Sequence, residues 1–251
     1  MKRNDYRQVC LPKDFLALNP QCGVLKNKLL IIPSVPHVRS PRVWGTFSAA
    51  GGVGSTTLTL HLARIAGTLG YRTLVIETDP RAPIREILGS SSPYWEEYRL
   101  GGAPIKSEAL PQTHQYGFSL LTRRSAGEIS EELFTEICTA AGNFYDLVLL
   151  DNPKFHNPKM KSLLIVENNL TSLIGLNALA VVIKPRIVVI NKYSSKFKKK
   201  SAITGFVSDS EIFSVPRSQD LGLALKLGVL RKLSPHNERK LTNIVNEFLN
   251  S

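Results

Sequence analysis

Three kinds of residue stand in this sequence where their types and spacing suit phosphate chemistry. Between an apolar run (Val43, Trp44, Phe47) and an amphipathic run (Leu58, Leu60, Leu62, Ala63, Ile65, Ala66) lies Ser48-Ala49-Ala50-Gly51-Gly52-Val53-Gly54-Ser55-Thr56-Thr57. Three glycines in four positions let the backbone curl without side-chain clashes. Several N–H groups then point inward at the positive end of the helix that follows, which makes a phosphate cradle. Ser55, Thr56 or Thr57 can offer a hydroxyl to a magnesium ion beside it. Glu77-Thr78-Asp79-Pro80 closes a short apolar run beginning at Tyr71, and Asp151 closes Leu147-Val148-Leu149-Leu150. Four consecutive apolar residues mean a strand covered on both faces, so the charge at its tip points into a site rather than the core. Asn191-Lys192 ends a further run, Arg186 to Ile190. Two strand-end acids with one glycine loop are far more specific than any single motif.

The elements that must hold these residues follow from the pattern. A strand, a crossover helix of about fifteen residues closed by Gly67 and Gly70, and a second strand at Tyr71 to Ile76 make a βαβ unit and hence a parallel sheet. In open α/β sheets ligands bind beyond the carboxyl ends of the strands, where Glu77, Asp79 and Asp151 stand. Phe118 to Leu121, Ser162 to Val166, Arg186 to Ile190 and Ile212 to Pro216 read as further strands. Ser130 to Ala141 reads as a helix with Ser130 as its N-cap, and residues 81–113, broken by prolines and glycines, as a mobile connection with one or two short helices. Leu241, Ile244, Val245, Phe248 and Leu249 share one face of a terminal helix behind Arg239 and Lys240. Packing against the sheet is the stronger reading of that face and a membrane surface the weaker one. Residues 43–251 form one α/β domain with a doubly wound, mostly parallel sheet flanked by helices. Residues 1–42, with five prolines and only Leu29 to Ile32 resembling a strand, form a proline-rich basic N-terminal extension.

Composition bounds the class. The chain has 251 residues, 27.8 kDa, 43% hydrophobic and 21% charged, enough for one sizeable core. Cys10, Cys22 and Cys138 are too few and too scattered for a disulfide framework or a metal cluster, which fits a reducing, cytoplasmic setting. Val24 to Val35 is interrupted by Lys26, Asn27, Lys28 and Pro33, so it is neither a signal-peptide core nor a membrane span. The net charge of +12 is uneven: +6 over residues 1–42, −4 over 43–151 and +10 over 152–251. Basic flanks around a mildly acidic middle suit contact with nucleic acid, anionic lipid or an acidic protein, or else a solvated lysine-rich surface. Lys192, Lys196, Lys198, Lys199 and Lys200 are the densest cluster.

The glycine stretch departs from the ordinary pattern G-x-x-x-x-G-K-[ST], because Ser55 follows the last glycine where a lysine should reach the outer phosphates. It resembles the deviant Walker A box of the ParA/MinD group of P-loop proteins, K-G-G-x-G-K-[ST]-[ST], here Ala50-Gly51-Gly52-Val53-Gly54-Ser55-Thr56-Thr57 with both lysines replaced. The resemblance implies that the lysine matched by Ala50 would reach across a nucleotide-sandwich dimer, and that the one matched by Ser55 would hold phosphates within its own subunit. It places Gly51, Gly52, Val53, Gly54, Ser55, Thr56 and Thr57 on the nucleotide and Asn191 at the adenine. Asp79 falls near the attacking water if the protein is active. Thr56, Asp79 and Asp151, the last resembling a Walker B aspartate, attend magnesium directly or through water. Glu77 replaces the first aspartate of the family's D-x-D-P. The lysine-free box is similar to that of the degenerate TadZ- and CpaE-like members, although their usual N-terminal receiver-like domain has no room in some forty residues.

The resemblance implies a degenerate, ATP- or ADP-binding protein with weak or absent hydrolysis that positions or assembles a cellular machine, such as a pilus, secretion, conjugation or partition apparatus. It implies a protein partner, and a homodimer, if formed, that does not depend on ATP. The alternatives are an active partition ATPase binding DNA nonspecifically through its basic C-terminal half and a membrane-associated organiser. Iron–sulfur electron carriers of the same group are set aside, because no cysteine lies near a suitable loop.

Overall fold

The computed structural model describes residues 42–79, 81, 83–88, 94–95, 97, 116–123, 130–155, 160–194, 203, 205–207, 209–222, 229–230 and 232–250. The expected extension up to residue 41, the cluster Lys196, Lys198, Lys199 and Lys200, and most of the 81–113 connection lie outside them. Arg42, assigned above to the extension, already opens the first strand.

The strands are β1 (Arg42–Ser48), β2 (Thr73–Glu77), β3 (Ser119–Leu121), β4 (Leu147–Asp151), β5 (Lys161–Glu167), β6 (Ile187–Tyr193) and β7 (Glu211–Pro216). They form one seven-stranded sheet in the order β3-β2-β4-β1-β5-β6-β7. Every pairing is parallel. The helices are α1 (Ser55–Thr68), α2 (Pro83–Leu88), α3 (Glu131–Phe144), α4 (Leu170–Ile183) and α5 (Pro235–Asn250). Register is what matters for the site: Thr46 of β1 and Glu77 of β2 both lie opposite Asp151 of β4. Their carboxyl ends therefore meet where the glycine loop leaves β1, and strand order reverses around them.

Each face of the sheet has its own core. On one, Trp44, Leu58, Leu62 and Leu149 pack with Leu241, Ile244 and Phe248 of α5, and the Trp44 and Phe248 rings are 4.5 Å apart. The apolar face of α5 is thus wholly covered, and the weaker membrane reading of it loses its surface. On the other, Phe47, Leu150 and Leu164 pack with Phe134 and Ile137 of α3 and Leu176 of α4. Ser130 caps α3, its side chain accepting from the Leu133 N–H at 3.2 Å, and Asn169 caps α4 by accepting from Ser172 N–H at 2.8 Å.

Two glycines are places of contact rather than helix ends. Gly67 lies inside α1, and a Cβ there would sit 2.1 Å from the Gly117 carbonyl oxygen, while Gly70, in the left-handed region at φ 90°, does the turning. Gly175 presses α4 onto the start of the glycine loop, since a Cβ on it would lie 1.7 Å from the Ala49 carbonyl oxygen. Helix α4 also leaves Leu170, Ile174, Val181 and Val182 exposed. Its 14 residues carry no charge and little periodicity, so no one face stands out in the order of residues.

Candidate functional site

Gly52 and Gly54 take left-handed backbone at φ 76° and 90°, open to glycine at little cost. A Cβ on Gly51 or Gly52 would meet nothing within 4 Å, so the outer curve of the loop is open. Helix α1 starts at Ser55 with Gly54 as N-cap, no side-chain cap and no acid in its first turn. The first-turn N–H groups of a helix need an outside acceptor, and here an anion meets no competing carboxylate cap. Ser55 is buried, its hydroxyl 2.7 Å from that of Ser48 at the end of β1. The position where a lysine would stand thus holds a hydroxyl turned back to the sheet.

Below the loop, two of the three residues expected at magnesium, Thr56 and Asp151, are in contact. The Thr56 hydroxyl donates to Asp151 Oδ2 at 2.8 Å. Thr59, one turn on, donates to Asp151 Oδ1 at 3.3 Å, and its oxygen is 2.8 Å from that of Thr46. Asp151 is fully buried. Burial pushes its carboxyl up to about 7 against the opposing Thr56 hydrogen bond, and the charges of Glu77 and Asp79 add to the rise. Among the described residues no three His, Cys, Asp or Glu side chains form a metal site of their own. A magnesium ion beside Thr56 and Asp151 would complete its shell from phosphate and water. The cradle and this pair fit the polyphosphate and magnesium of a nucleotide in shape and ligand type; the loop's own charge does not.

The two acids ending β2 play different parts. Glu77, fully buried, accepts the N–H groups of Ile84, of Arg85 at 3.3 Å and of Arg123 at 3.2 Å, and burial raises its carboxyl. It fastens the start of α2 and the residue two past β3 to the end of β2. Asp79 also is buried, but its carboxylate faces Arg81. The guanidinium donates to Oδ1 at 3.0 Å and to Oδ2 at 2.6 Å, the Arg81 N–H adds a third bond at 3.0 Å, and these hold the carboxyl below its usual range. The expected water-side acid is therefore masked by a cation whose own side chain is 80% exposed.

At the tip of β6 two of the expected site residues turn to the glycine loop. Asn191, expected at adenine, spends its amide on the loop, donating to the Val53 carbonyl at 2.7 Å. Lys192, grouped above with the DNA-facing lysines, turns the same way: its ammonium donates to the Gly52 carbonyl at 2.7 Å and to Glu167 Oε2 at 3.0 Å. A nucleic-acid contact from Lys192 would have to share an ammonium already bonded to Gly52 and Glu167. Thr46, Thr59 and Glu167 were not singled out for the site. Thr59 was legible, being one turn past Thr56 on the same side of a helix; nothing in the order of residues marks which way Arg81 or Glu167 turns.

A family model described as the CobQ/CobB/MinD/ParA nucleotide binding domain matches residues 45–228. Solved structures share the fold. The MinC:MinD cell division protein complex of Aquifex aeolicus superposes with a TM-score of 0.66 at 20% identity, covering 84% of this chain and 96% of that one. A ParA family ATPase from Chlorobium tepidum gives 0.62 at 16% identity, with 82% and 98% covered. The septum site-determining protein MinD of Pyrococcus horikoshii, complexed with Mg-ADP, gives 0.59 at 15% identity, with 82% and 95% covered. A sequence search of curated proteins finds no match.

Proposed function

The chain belongs to the CobQ/CobB/MinD/ParA nucleotide-binding domain family, and from that premise we propose that it is a degenerate member: a positioning or assembly protein that binds ATP or ADP with magnesium weakly and turns ATP over slowly or not at all. The observation that carries this is the Ser55 hydroxyl bonded to Ser48 inside an otherwise complete cradle. Phosphoryl transfer depends on preorganised positive charge, and removing one such group costs several kcal/mol of transition-state stabilisation. Among the described residues, Arg81 is matched by Asp79 and Lys192 by Glu167. Nucleotide-driven dimers use charge from one subunit to neutralise phosphate in the other. With Ala50 at that place, bringing two polyphosphates together leaves repulsion uncompensated, so self-association is independent of ATP. The partner is a protein of the positioned machine, in a cytoplasmic setting.

The test is nucleotide binding and turnover on the pure protein, with sedimentation run with and without ATP and magnesium. Robust magnesium-dependent hydrolysis that Asp79→Ala abolishes, or a monomer that dimerises only on adding nucleotide, refutes the reading. The same preparation decides the DNA alternative. Binding through Lys196, Lys198, Lys199 and Lys200 would fall with salt at a log–log slope of about −0.9 per phosphate neutralised and flatten when the four are substituted.

A further inference from the structure

We propose that Lys192 is the cation of this nucleotide site, delivered from the tip of β6 in place of the lysine absent at Ser55, with Glu167 holding it in reserve. The inference rests on nucleotide binding by the glycine loop as read above. Three observations carry it. First, Lys192 is held in left-handed backbone at φ 52°, a conformation unfavourable for a side chain of its kind. Asn191 stabilises that turn, its Oδ1 accepting the Lys192 N–H at 2.9 Å while its amide grips Val53. Second, the fit depends on Gly54, since a Cβ there would lie 2.6 Å from Asn191 Nδ2. The loop and the β6 tip are thus shaped for each other. Third, the turn aims the lysine stem at the loop, so that the ammonium reaches the Gly52 carbonyl, on the same backbone whose N–H groups form the cradle.

The chemistry is that of a compact charge on a flexible four-carbon stem. Two of the three ammonium donors are taken by Gly52 and Glu167, leaving one for a ligand. The Glu167 pair is about one-third exposed on both sides, and such pairs are weak. A polyphosphate with its amides already supplied by the loop competes with that single carboxylate for the ammonium. Charge reaches the phosphates from the sheet side instead of from the loop, which favours binding while leaving the Ser55 position without a preorganised cation.

The experiment is a titration of the full chain with adenosine, AMP, ADP and ATP, each with magnesium, for the natural protein, Lys192→Ala, Lys192→Arg and Glu167→Gln, with thermal melts run on all four. The expected result is that affinity rises with phosphate number in the natural protein. Lys192→Ala loses about tenfold for ATP, the scale of one charge-assisted hydrogen bond, and almost nothing for adenosine, while Lys192→Arg retains most of the affinity. Glu167→Gln, by freeing the ammonium, binds ATP more tightly than the natural protein. A lysine that merely props the loop would give a different pattern: Lys192→Ala would weaken adenosine and ATP alike and Glu167→Gln would weaken both, and that pattern overturns the proposal. ATP binding unchanged in Lys192→Ala overturns the proposal and leaves the nucleotide reading standing. No binding of any nucleotide at millimolar concentration by the natural protein overturns both.

Discussion

Replacing Asp151 by asparagine should make the protein more stable at neutral and alkaline pH and should remove a pH dependence that the natural chain carries. Asp151 is fully buried, and its carboxyl rises from 3.8 to about 7 because burial disfavours the charged form. Between about pH 4 and pH 7 the folded state therefore holds a proton that the unfolded chain has released. By linkage, stability falls as pH rises through that window. The contribution of this group is fully favourable below the unfolded value and is lost as pH passes the folded one. Three pH units at about 1.4 kcal/mol each set the size at about 4 kcal/mol, an upper figure for one group. Asparagine has the shape of the protonated acid and carries no charge. Thr56 and Thr59, which now donate to the two carboxylate oxygens, are hydroxyls and can turn to accept from its amide.

The assay is urea denaturation of both proteins at pH 5, 6, 7 and 8. Asp151→Asn should already lead modestly at pH 5, the gap should widen up to about pH 7, and it should then stay constant to pH 8. Asp79, held below its usual range by Arg81, contributes the opposite trend at more acid pH in both proteins, so it cancels in the difference. Magnesium adds a second readout. An ion that binds the ionised carboxylate should stabilise the natural protein at pH 8 and leave Asp151→Asn unmoved. Curves that stay parallel from pH 5 to pH 8, or an asparagine variant less stable throughout, would refute the reasoning.

Ser55→Lys should tighten ATP binding by about tenfold or more, since a charge-assisted contact returns to the loop, yet turnover should stay far below the gain, because Ala50 and the Arg81-masked Asp79 are untouched; parallel binding and steady-state assays check this, and a matching rise in kcat would contradict it. Gly175→Ala should cost about 1–3 kcal/mol by overpacking, because the added methyl meets the backbone oxygen of Ala49 rather than a yielding side chain; a melt unchanged from the natural protein would mean that α4 slides freely on the loop. Phe248→Ala should cost about 3–5 kcal/mol, as expected for a fully buried ring stacked near Trp44; a loss below 1 kcal/mol in denaturant melts would show that α5 is not part of the core.

The sheet was legible because strands covered on both faces write themselves as apolar runs. Leu147 to Leu150 announces a central strand, and the acid that follows it announces the ligand side. The glycine loop was legible for a similar reason, since only glycine takes the backbone angles seen at Gly52 and Gly54 without strain. Ser130 was readable as a cap from local chemistry alone. Long side chains at strand tips were not readable. Lys192 stands four residues before the lysine cluster and shares its composition, so sequence grouped it there. Its direction is set by a left-handed residue, by the Asn191 amide and by a carboxylate at the end of β5, 25 positions away in the chain. Arg81 was visible as a cation just past Asp79, but its bidentate grip on that acid depends on a turn whose geometry no periodicity records. Helix α4 failed for the opposite reason: uniformly apolar, it offered no contrast between an inner and an outer face.

The charges around the loop explain why the cradle can outlast its lysines. A P-loop without a cation would seem a poor anion site, since amides supply only partial charge. Among the described residues, Lys192 reaches the loop at Gly52 and Arg81 stands on Asp79, each paired with one carboxylate and each largely or partly exposed. The pairs let the protein fold without a bare positive cluster. A polyphosphate arriving with magnesium alters both balances at once, because the metal attracts the acids while the phosphates attract Arg81 and Lys192. Binding in such a site is an exchange of partners rather than the filling of a charged socket, which predicts modest affinity and a strong dependence on magnesium. Hydrolysis asks for more, namely a cation already fixed where charge develops, and an exposed arginine or a lysine shared with Glu167 arrives too loosely to be preorganised. On the function proposed above, alanine at position 50 and serine at position 55 would weigh more heavily on turnover than on binding.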